Sequence, residues 1–283
     1  MTQHVLILGG TGRFGRHATR AFKAAGWHVT QFNRKTDDMT KTAMGMDVIV
    51  NAMNPSYELW AAEVPKLTAQ VIAAARASGA TVIIPGNVYV YGKDAPERFA
   101  PETPHRAANP LGRIRIKMEA AYKAAKVQTI VLRAGDYIDT EASGTWFDRF
   151  IIAKLAKGIF TYPGPMNIRH AWAYLPDVAH IAVALAERRS TFAAFEDVTF
   201  AGYTLTGEEL ANALEKVSGR NLTHRRFSYL PLQMLAPFWR LMRHVVEMRY
   251  LWNKPHFLDS KRVQELVPEF QPTPLQDALK TAL

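Results

Sequence analysis

Cysteine is absent from the 283 residues, which excludes disulfides, cysteine nucleophiles and thiolate metal sites. Long hydrophobic runs are missing too, since no stretch approaches the roughly 18 apolar residues that a membrane-spanning helix needs. The first apolar run, Val5-Leu6-Ile7-Leu8, is too short for a signal peptide and enters a glycine turn at once. These absences predict a cytoplasmic protein without a membrane span.

Two kinds of catalytic motif are also missing. The nine histidines show no His-Glu-x-x-His or comparable ligand spacing, and no Gly-x-Ser-x-Gly elbow occurs. We therefore expect neither a metal site nor a serine hydrolase.

Acidic residues are fewer than basic ones: 25 Asp and Glu compared with 35 Lys and Arg, which gives a net charge of +10. The stretch from Arg220 to Arg262 contains nine basic residues and only two acidic ones, Glu247 and Asp259. Most such excess is solvated surface, although it also attracts anionic substrates, nucleic acids or membrane headgroups. No recognised nucleic-acid motif accompanies it, so we expect a small-molecule substrate and no nucleic-acid partner.

Apolar residues make up 48% of the chain, enough for a large core. Short β-like runs alternate with helical stretches in the first half, which predicts an α/β, doubly wound Rossmann fold with a parallel sheet. The predicted strands are His4–Leu8, His28–Phe32, Asp47–Asn51, Thr81–Ile84 and Gln128–Arg133. The predicted helices are Arg13–Ala25, Tyr57–Ser78 and Pro110–Ala125.

The pattern is weaker after Gly135. Helical spacing there predicts helices near Thr145–Lys157, Asp177–Arg188 and Gly207–Val217, and a strand at Asp197–Phe200. Apolar residues from Met234 to Trp252 also recur at helical spacing and predict an amphipathic helix. Such a helix either packs on its own domain or contacts a membrane surface or a partner.

The strongest motif is Gly9-Gly10-Thr11-Gly12-Arg13-Phe14-Gly15, which follows the first strand and opens the first helix. Glycines at this spacing permit a tight turn and let the backbone approach a pyrophosphate, whose charge the helix N-terminus meets. We predict a dinucleotide site that includes Gly9, Thr11, Gly12, Arg13, Phe14 and Gly15.

The end of the second strand indicates which dinucleotide is bound. An acidic residue there would bind the adenosine ribose of NAD, but this chain has Asn33-Arg34-Lys35. Arg34 can pair with a 2′-phosphate, so NADP(H) is favoured over NAD(H). The alternative is an exposed basic loop, because Asp37 and Asp38 follow.

The chain resembles the short-chain dehydrogenase/reductase superfamily, specifically its extended branch of NAD-dependent epimerases/dehydratases. The resemblance covers nearly the whole chain. Its segments are the glycine loop, 47–52, Val90-Tyr91-Gly92, 131–137, 170–179 and 258–262. It implies a seven-stranded Rossmann domain over residues 1–200, with 140–170 reaching toward the substrate, and a small substrate-side domain over residues 201–283. It also implies cofactor contacts from Ala52 and Met53.

The family's chemistry uses a Ser or Thr and a Tyr-x-x-x-Lys pair. The resemblance places Asn87 at the Ser/Thr position, Lys117 at the lysine position, where it would bind the nicotinamide ribose, and Arg113 at the tyrosine position. Arginine cannot donate a proton, so Arg113 would either hold an anionic substrate or be a solvated residue. Tyr89, Tyr91 and Tyr137 follow predicted strand ends and are alternative sources of the hydroxyl group.

Two further expectations follow. The short interval between Arg34 and Asp47 leaves little room for the family's third strand. The function is either an atypical NADP(H)-dependent oxidoreductase or epimerase acting on a small carbonyl or hydroxyl compound, or a non-catalytic NADP(H)-binding redox sensor. A homodimer is left open.

Overall fold

Parallel strands with buried side chains form the main sheet of the computed structural model, which describes residues 2–283. In sequence order the strands are β1 (His4–Leu8), β2 (His28–Phe32), β3 (Val48–Asn51), β4 (Thr81–Gly86), β5 (Arg98–Phe99), β6 (Thr129–Arg133), β7 (Asp136–Ile138), β8 (Ile159–Tyr162), β9 (His170–Tyr174), β10 (Phe195–Thr199), β11 (Tyr203–Leu205), β12 (Thr223–Arg226) and β13 (Phe257–Leu258). The main sheet has the order β10-β6-β4-β3-β1-β2, and all its neighbours pair in parallel. This confirms the predicted α/β Rossmann class.

Helices cover both faces of this sheet, which explains why its central strands are mostly apolar and almost entirely buried. The helices are α1 (Arg13–Ala24), α2 (Met39–Ala43), α3 (Trp60–Ser78), α4 (Pro110–Ala125), α5 (Leu175–Glu187), α6 (Gly207–Ser218), α7 (Leu230–Leu235), α8 (Arg240–Glu247), α9 (Tyr250–Asn253), α10 (Lys261–Leu266) and α11 (Leu275–Ala282). Local sequence sets several ends. α3 stops at Gly79, whose φ is +76°, and Thr206 with Glu209 forms a capping box for α6.

The main sheet has six strands rather than the seven that the resemblance implies. Residues 33–47 contain a turn and the single short helix α2, so β2 forms one edge of the sheet. The interval is too short for an additional strand, a crossover helix and both connections.

Two predicted helices differ in the structure. Over 145–157 the chain forms a π-helical turn at Phe147–Ile151 and a 3₁₀ turn at Leu155–Lys157 instead of one helix. The apolar residues there pack into a cluster of aromatic rings, which a wide turn accommodates. The stretch 234–252 divides into α7, α8 and α9. Pro237, which cannot continue a helix, lies between the first two.

Apart from the core packed against the main sheet, a separate hydrophobic cluster lies on the carboxyl side of that sheet. It combines side chains from 138–174 with others from 203–282. The small sheets β11-β9-β7 and β12-β8 belong to this layer. The layer faces the strand ends of the main sheet, where open parallel sheets bind ligands.

Candidate functional site

The turn between β1 and α1 is built from glycines for identifiable reasons. Gly9 has φ +78°, a conformation that other residues rarely adopt, and its carbonyl accepts a hydrogen bond from the Gly12 amide at 2.9 Å. A Cβ atom on Gly15 would lie 2.1 Å from the Gly9 carbonyl oxygen, and one on Gly9 would lie 3.0 Å from the Ala52 carbonyl oxygen. The helix, the turn and the end of β3 can approach this closely only without those side chains.

The N-terminus of α1 presents free amides beside this turn. Gly12 caps the helix without a side chain, and the Arg16 amide makes a helical bond to Gly12 at 3.0 Å. The amides of Arg13, Phe14 and Gly15 are therefore available to an anion. The Phe14 side chain is buried in the core, whereas Thr11 is exposed. Backbone, helix dipole and close glycine packing fit a pyrophosphate group.

The Arg13 side chain contacts protein groups instead. Its Nε donates to the Ser143 carbonyl at 2.8 Å, and its Nη2 donates to the Gly144 carbonyl at 2.7 Å. Arg16 and His17 bind the carboxylate of Asp139 in the same loop. The loop 139–144, which we call the docked loop, is thereby fixed against α1.

The turn after β2 places Arg34 and Lys35 in solvent. The two carboxylates that follow are engaged locally: Asp37 accepts a hydrogen bond from the Asn33 amide at 2.8 Å, and Asp38 accepts one from the Lys41 amide at 2.8 Å. The Asn33 bond, with one from Thr36, lowers the pKa of Asp37. Both acids therefore stabilise the turn, and Arg34 forms no ion pair within residues 2–283.

Asn87 lies at the end of β4, half-buried. Its Oδ1 accepts a hydrogen bond from the Tyr89 amide at 3.0 Å, which leaves its side-chain amide group as a donor. Its carbonyl accepts a 2.6 Å bond from Arg133, a fully buried residue that also pairs with Glu119 at 2.9 Å and Asp197 at 2.6 Å. This buried ion network joins β4, α4, β6 and β10 and holds the strand end in place.

Four side chains, three aromatic and one cationic, meet beside Asn87. The hydroxyls of Tyr57 and Tyr89 are 2.6 Å apart, and burial together with the nearby Asp136 carboxylate raises the pKa of both. The Arg115 guanidinium lies 4.4 Å from the centre of the Trp60 ring and donates to Asn54 at 3.0 Å. Burial lowers the pKa of Arg115, and its charge counters the rise in both tyrosines.

The register of α4 differs from the one that the sequence suggested. Arg115 lies on the buried face with Leu111, Met118, Glu119 and Tyr122, whereas Arg113 and Lys117 are exposed. Residues two positions from Arg115 are rotated by about 200° around the helix, so they project away from the sheet. The structure does not bring Arg113 and Lys117 to the strand ends. The helical stripe containing Arg115 was the signal that sequence reasoning missed.

The three predicted tyrosines occupy two different environments. Tyr91 is 1% exposed, and its ring stacks on Phe99 with centroids 4.2 Å apart, so it packs in the core. Tyr89 and Tyr137 both face Arg115, which counters the rise in their pKa values. Burial nevertheless raises the pKa of Tyr137 to about 12.

Polar side chains gather around Asp136, a residue outside the predicted site, and we call this group the Asp136 cluster. Burial is the main cause of the raised pKa of several tyrosines, and the Asp136 carboxylate adds to it in each. They are Tyr57, Tyr89, Tyr137, Tyr162 and Tyr229. Buried polar atoms without a protein partner lie among the same group: the hydroxyls of Tyr162 and Tyr229, His170 Nδ1 and Trp172 Nε1. Such atoms normally bind water or a ligand.

His170 orients the Asp136 carboxylate. His170 Nε2 lies 2.7 Å from Asp136 Oδ2, and the imidazole stacks on Trp252 with centroids 4.1 Å apart. His170 is 2% exposed, whereas the Asp136 side chain is 29% exposed and therefore partly accessible. The position of Asp136 just after β6 could have identified it. Its partnership with His170, 34 residues later, depends on the tertiary fold.

A family model matches more than half of the chain. The model for the NAD dependent epimerase/dehydratase family matches residues 5–199. No curated protein matches the chain. The described helices include none that is both long and apolar enough to cross a bilayer.

Solved structures resemble the chain over almost its whole length. The UDP-glucuronic acid 4-epimerase from Bacillus cereus, in complex with UDP-glucuronic acid and NAD, is 15% identical with a TM-score of 0.75, covering 99% of this chain and 98% of the other. A nucleoside-diphosphate-sugar epimerase from Pseudomonas aeruginosa is 14% identical with a TM-score of 0.75, covering 100% and 96%. At these identities the likeness establishes the fold.

Proposed function

The chain belongs to the NAD-dependent epimerase/dehydratase family, and from that premise we propose that it binds NADP(H) in preference to NAD(H) and acts on a small carbonyl or hydroxyl compound. The glycine turn carries the dinucleotide part of this proposal. A Cβ on Gly15 would lie 2.1 Å from the Gly9 carbonyl oxygen, so only glycine allows the close packing that leaves the amides of α1 open to a pyrophosphate. When bound, the dinucleotide supplies hydride transfer, and the protein supplies binding and orientation.

The residues that would hold the dinucleotide fall into two groups. The free amides of Arg13, Phe14 and Gly15 would bind the pyrophosphate. The adenosine end would contact Ala52 and Met53 after β3, and Asn33, Arg34 and Lys35 after β2. Lys117 is removed from this set, since it lies on the exposed face of α4.

The preference for NADP(H) rests on Arg34. It is an exposed cation at the end of β2, and the two neighbouring carboxylates are engaged in turn hydrogen bonds. Arg34→Asp should invert the preference in calorimetric titrations with NADPH and NADH. Loss of one charge-assisted pair corresponds to about 1.5–3 kcal/mol, or roughly 10- to 150-fold in affinity.

The matched control is Lys66→Asp, which makes the same charge change at an exposed position on α3. It should leave both dissociation constants unchanged. Equal affinities of the unmodified protein for NADPH and NADH would refute the assignment of Arg34.

We further propose that Leu111 and Arg115 occupy the positions of the family's tyrosine and lysine. They are four residues apart on the buried face of α4, and the hydroxyl group is therefore missing from its usual place. Tyr89 is the substitute that we propose, because its hydroxyl pairs with Tyr57 beside Arg115. A tyrosine hydroxyl is protonated at neutral pH, and burial raises the pKa of Tyr89 further, so this group can donate a hydrogen bond to a substrate oxygen.

Asp136, oriented by His170, is the proton acceptor in this proposal. Arg115 would hold an anionic substituent, so nucleotide-linked sugars are the first compounds to test, given the UDP-sugars bound by solved neighbours. A panel screened for NADPH oxidation and NADP⁺ reduction should reveal a substrate. Tyr89→Phe and Asp136→Asn should then lower turnover by about 100- to 10,000-fold while leaving NADPH affinity unchanged. Unchanged turnover in both variants would contradict these roles.

A second candidate function is non-catalytic NADP(H) sensing. The observation that favours it is that α4 presents Leu111 and Arg115, rather than a tyrosine and a lysine, to the strand ends. Tight NADPH binding without turnover of any compound in the panel would support sensing over catalysis. The cytoplasmic location and the homodimer remain predictions.

A further inference from the structure

Five exposed apolar side chains occupy one short segment of the C-terminal part. Phe238 is 90% exposed, Met234 68% and Leu230 63%, and Trp239 and Leu235 are about half exposed. They lie on α7 and on the turn that leads to α8. We call this group the apolar tip. An apolar group of this size in a single segment indicates a contact surface, whereas isolated exposed apolar residues are ordinary.

Cations flank the tip along the chain. Arg225 and Arg226 on β12 and Arg240 and Arg243 on α8 are all exposed, and we call them the basic rim. Between Arg220 and Lys254 the sequence contains a single acidic residue, Glu247. Its carboxylate is occupied, because it accepts hydrogen bonds from Asn109 at 2.7 Å and from the Leu111 amide at 3.0 Å, and it pairs with His244. No exposed carboxylate from this segment neutralises the rim.

We propose that the apolar tip and the basic rim dock the protein on the surface of a bilayer that contains anionic phospholipids. Phe238, Trp239 and Met234 would enter the boundary between headgroups and acyl chains, and the arginines would bind lipid phosphates. Aromatic residues with flanking arginines are the composition that this boundary favours. The protein would lie on the membrane, since its described helices include no span.

The charge pattern argues against a second copy as the occupant. In a two-fold symmetric contact the same patch meets itself. Each basic rim would then face another basic rim, with no exposed carboxylate of this segment to pair with it. An anionic lipid surface offers complementary charge to the same four arginines.

The test uses the full chain and vesicles of phosphatidylcholine with or without phosphatidylglycerol. We expect co-sedimentation with the mixed vesicles, and weaker binding as the salt concentration rises. Phe238→Ser with Trp239→Ser, and separately Arg240→Glu with Arg243→Glu, should each weaken binding by at least about tenfold.

Matched controls lie elsewhere on the surface. Met44→Ser removes an exposed apolar side chain outside the tip, and Lys23→Glu with Lys66→Glu reverses two exposed charges outside the rim. Both should bind vesicles like the unmodified protein.

Tryptophan fluorescence locates the contact. Trp239 is 51% exposed, whereas the other tryptophans are buried or half-buried. Mixed vesicles should shift the emission to the blue, brominated acyl chains should quench it, and Trp239→Phe should remove both effects.

Three results would overturn the proposal. One is absence of binding to mixed vesicles. Another is binding that neither pair of tip and rim substitutions weakens. The third is a dimer, measured by light scattering, that Phe238→Ser converts to a monomer while vesicle binding is absent, which would assign the tip to a second copy. NADPH affinity reports separately on the proposed function.

Discussion

The glycine turn and the Asp136 cluster lie near each other, since Arg13 acts on the pKa of Tyr57 and Tyr137, but the sequence encodes them in different ways. The turn uses backbone amides from one contiguous segment, Gly9 to Gly15, and the close approach of β3. The Asp136 cluster uses side chains from separate elements, among them Tyr57, Arg115 and His170. A backbone site is therefore specified by local glycines, whereas a side-chain site requires the fold to bring distant residues together.

Mutation should affect the two regions differently. At the turn, adding a single carbon atom is disruptive because backbone atoms are in contact. In the Asp136 cluster, removing a polar group should change which ligands bind without unfolding the protein. The buried network of Arg133, Glu119 and Asp197 holds the strand ends. The following predictions test this contrast in order of decreasing effect.

Gly15→Ala should have the largest effect. The added Cβ would lie 2.1 Å from the Gly9 carbonyl oxygen, a contact that only a backbone shift can relieve. Movement of α1 away from the turn would displace the free amides, so NADPH affinity should fall by at least about 100-fold in calorimetry. Urea unfolding should also show destabilisation of about 1–3 kcal/mol.

Gly79→Ala is the control for this variant. Gly79 has φ +76°, but a Cβ there would meet no atom within 4 Å. The substitution should cost about 1 kcal/mol through backbone strain and leave NADPH affinity unchanged. Normal NADPH binding by Gly15→Ala would contradict the importance of the close approach.

Arg115→Leu should weaken substrate binding at the Asp136 cluster more than NADPH binding at the glycine turn. It removes the cation that faces Tyr57, Tyr89 and Tyr137, so affinity for an anionic substrate or inhibitor should fall by about 10- to 100-fold. NADPH affinity should fall less than substrate affinity, because the pyrophosphate amides on α1 remain and Arg115, at the family's lysine position, would supply only the contact to the nicotinamide ribose. Arg115→Lys keeps a charge and should retain part of the affinity. Equal losses of NADPH and substrate affinity in Arg115→Leu would erase the distinction between the regions.

The same contrast explains how much of the fold and site could be predicted. The central strands and α1, α3 and α4 follow from apolar periodicity and glycine or proline signals, as the match of β1 at His4–Leu8 illustrates. The shortened interval after Arg34 likewise indicated a missing strand. The separation of α7 from α8 at Pro237 could also be predicted, because proline cannot continue a helix, but apolar residues at helical spacing on both sides of Pro237 favoured one long helix.

The Asp136 cluster and the residues around it were less predictable than the glycine turn, for a physical reason. Arg113 and Lys117 keep the spacing of the family pair, but a shift of two positions rotates a helical residue by about 200°. Leu111, Met118 and Tyr122 identify the buried face and place Arg115 on it. The contact between Asp136 and His170 joins β7 to β9 and is created only by tertiary pairing of those strands.

A smaller effect is expected at the docked loop in acid. Burial opposes ionisation of Asp139, but hydrogen bonds from His17, Ser143 and Arg16 lower its pKa from 3.8 to about 2. Because the pKa in the folded protein is lower than in the unfolded chain, this stabilisation is complete above about pH 4 and is lost as the pH falls toward 2. Asp139→Asn should lower the unfolding free energy at pH 7 by about 1–2 kcal/mol.

Urea unfolding of both proteins at several pH values checks this expectation. The difference between them should shrink between about pH 4 and pH 2, because the unmodified protein loses the contribution there. Glu141→Gln, in the same loop but 49% exposed, is the control and should change stability by less than about 0.5 kcal/mol. A difference that stays constant down to pH 2 would show that the ionised carboxylate contributes nothing.

The smallest effect is expected for Arg113→Ala and Lys117→Ala. Both side chains are exposed on the outer face of α4 and form no ion pair within residues 2–283. Each substitution should leave NADPH affinity, substrate affinity and stability within about twofold or 0.5 kcal/mol of the unmodified protein. A tenfold loss of NADPH affinity in Lys117→Ala would restore Lys117 as the ribose-binding residue. A loss of substrate affinity in Arg113→Ala would restore Arg113 as the anion-binding residue. Either result would require α4 to turn by about 200° when ligands bind, because only that rotation brings these side chains to the strand ends.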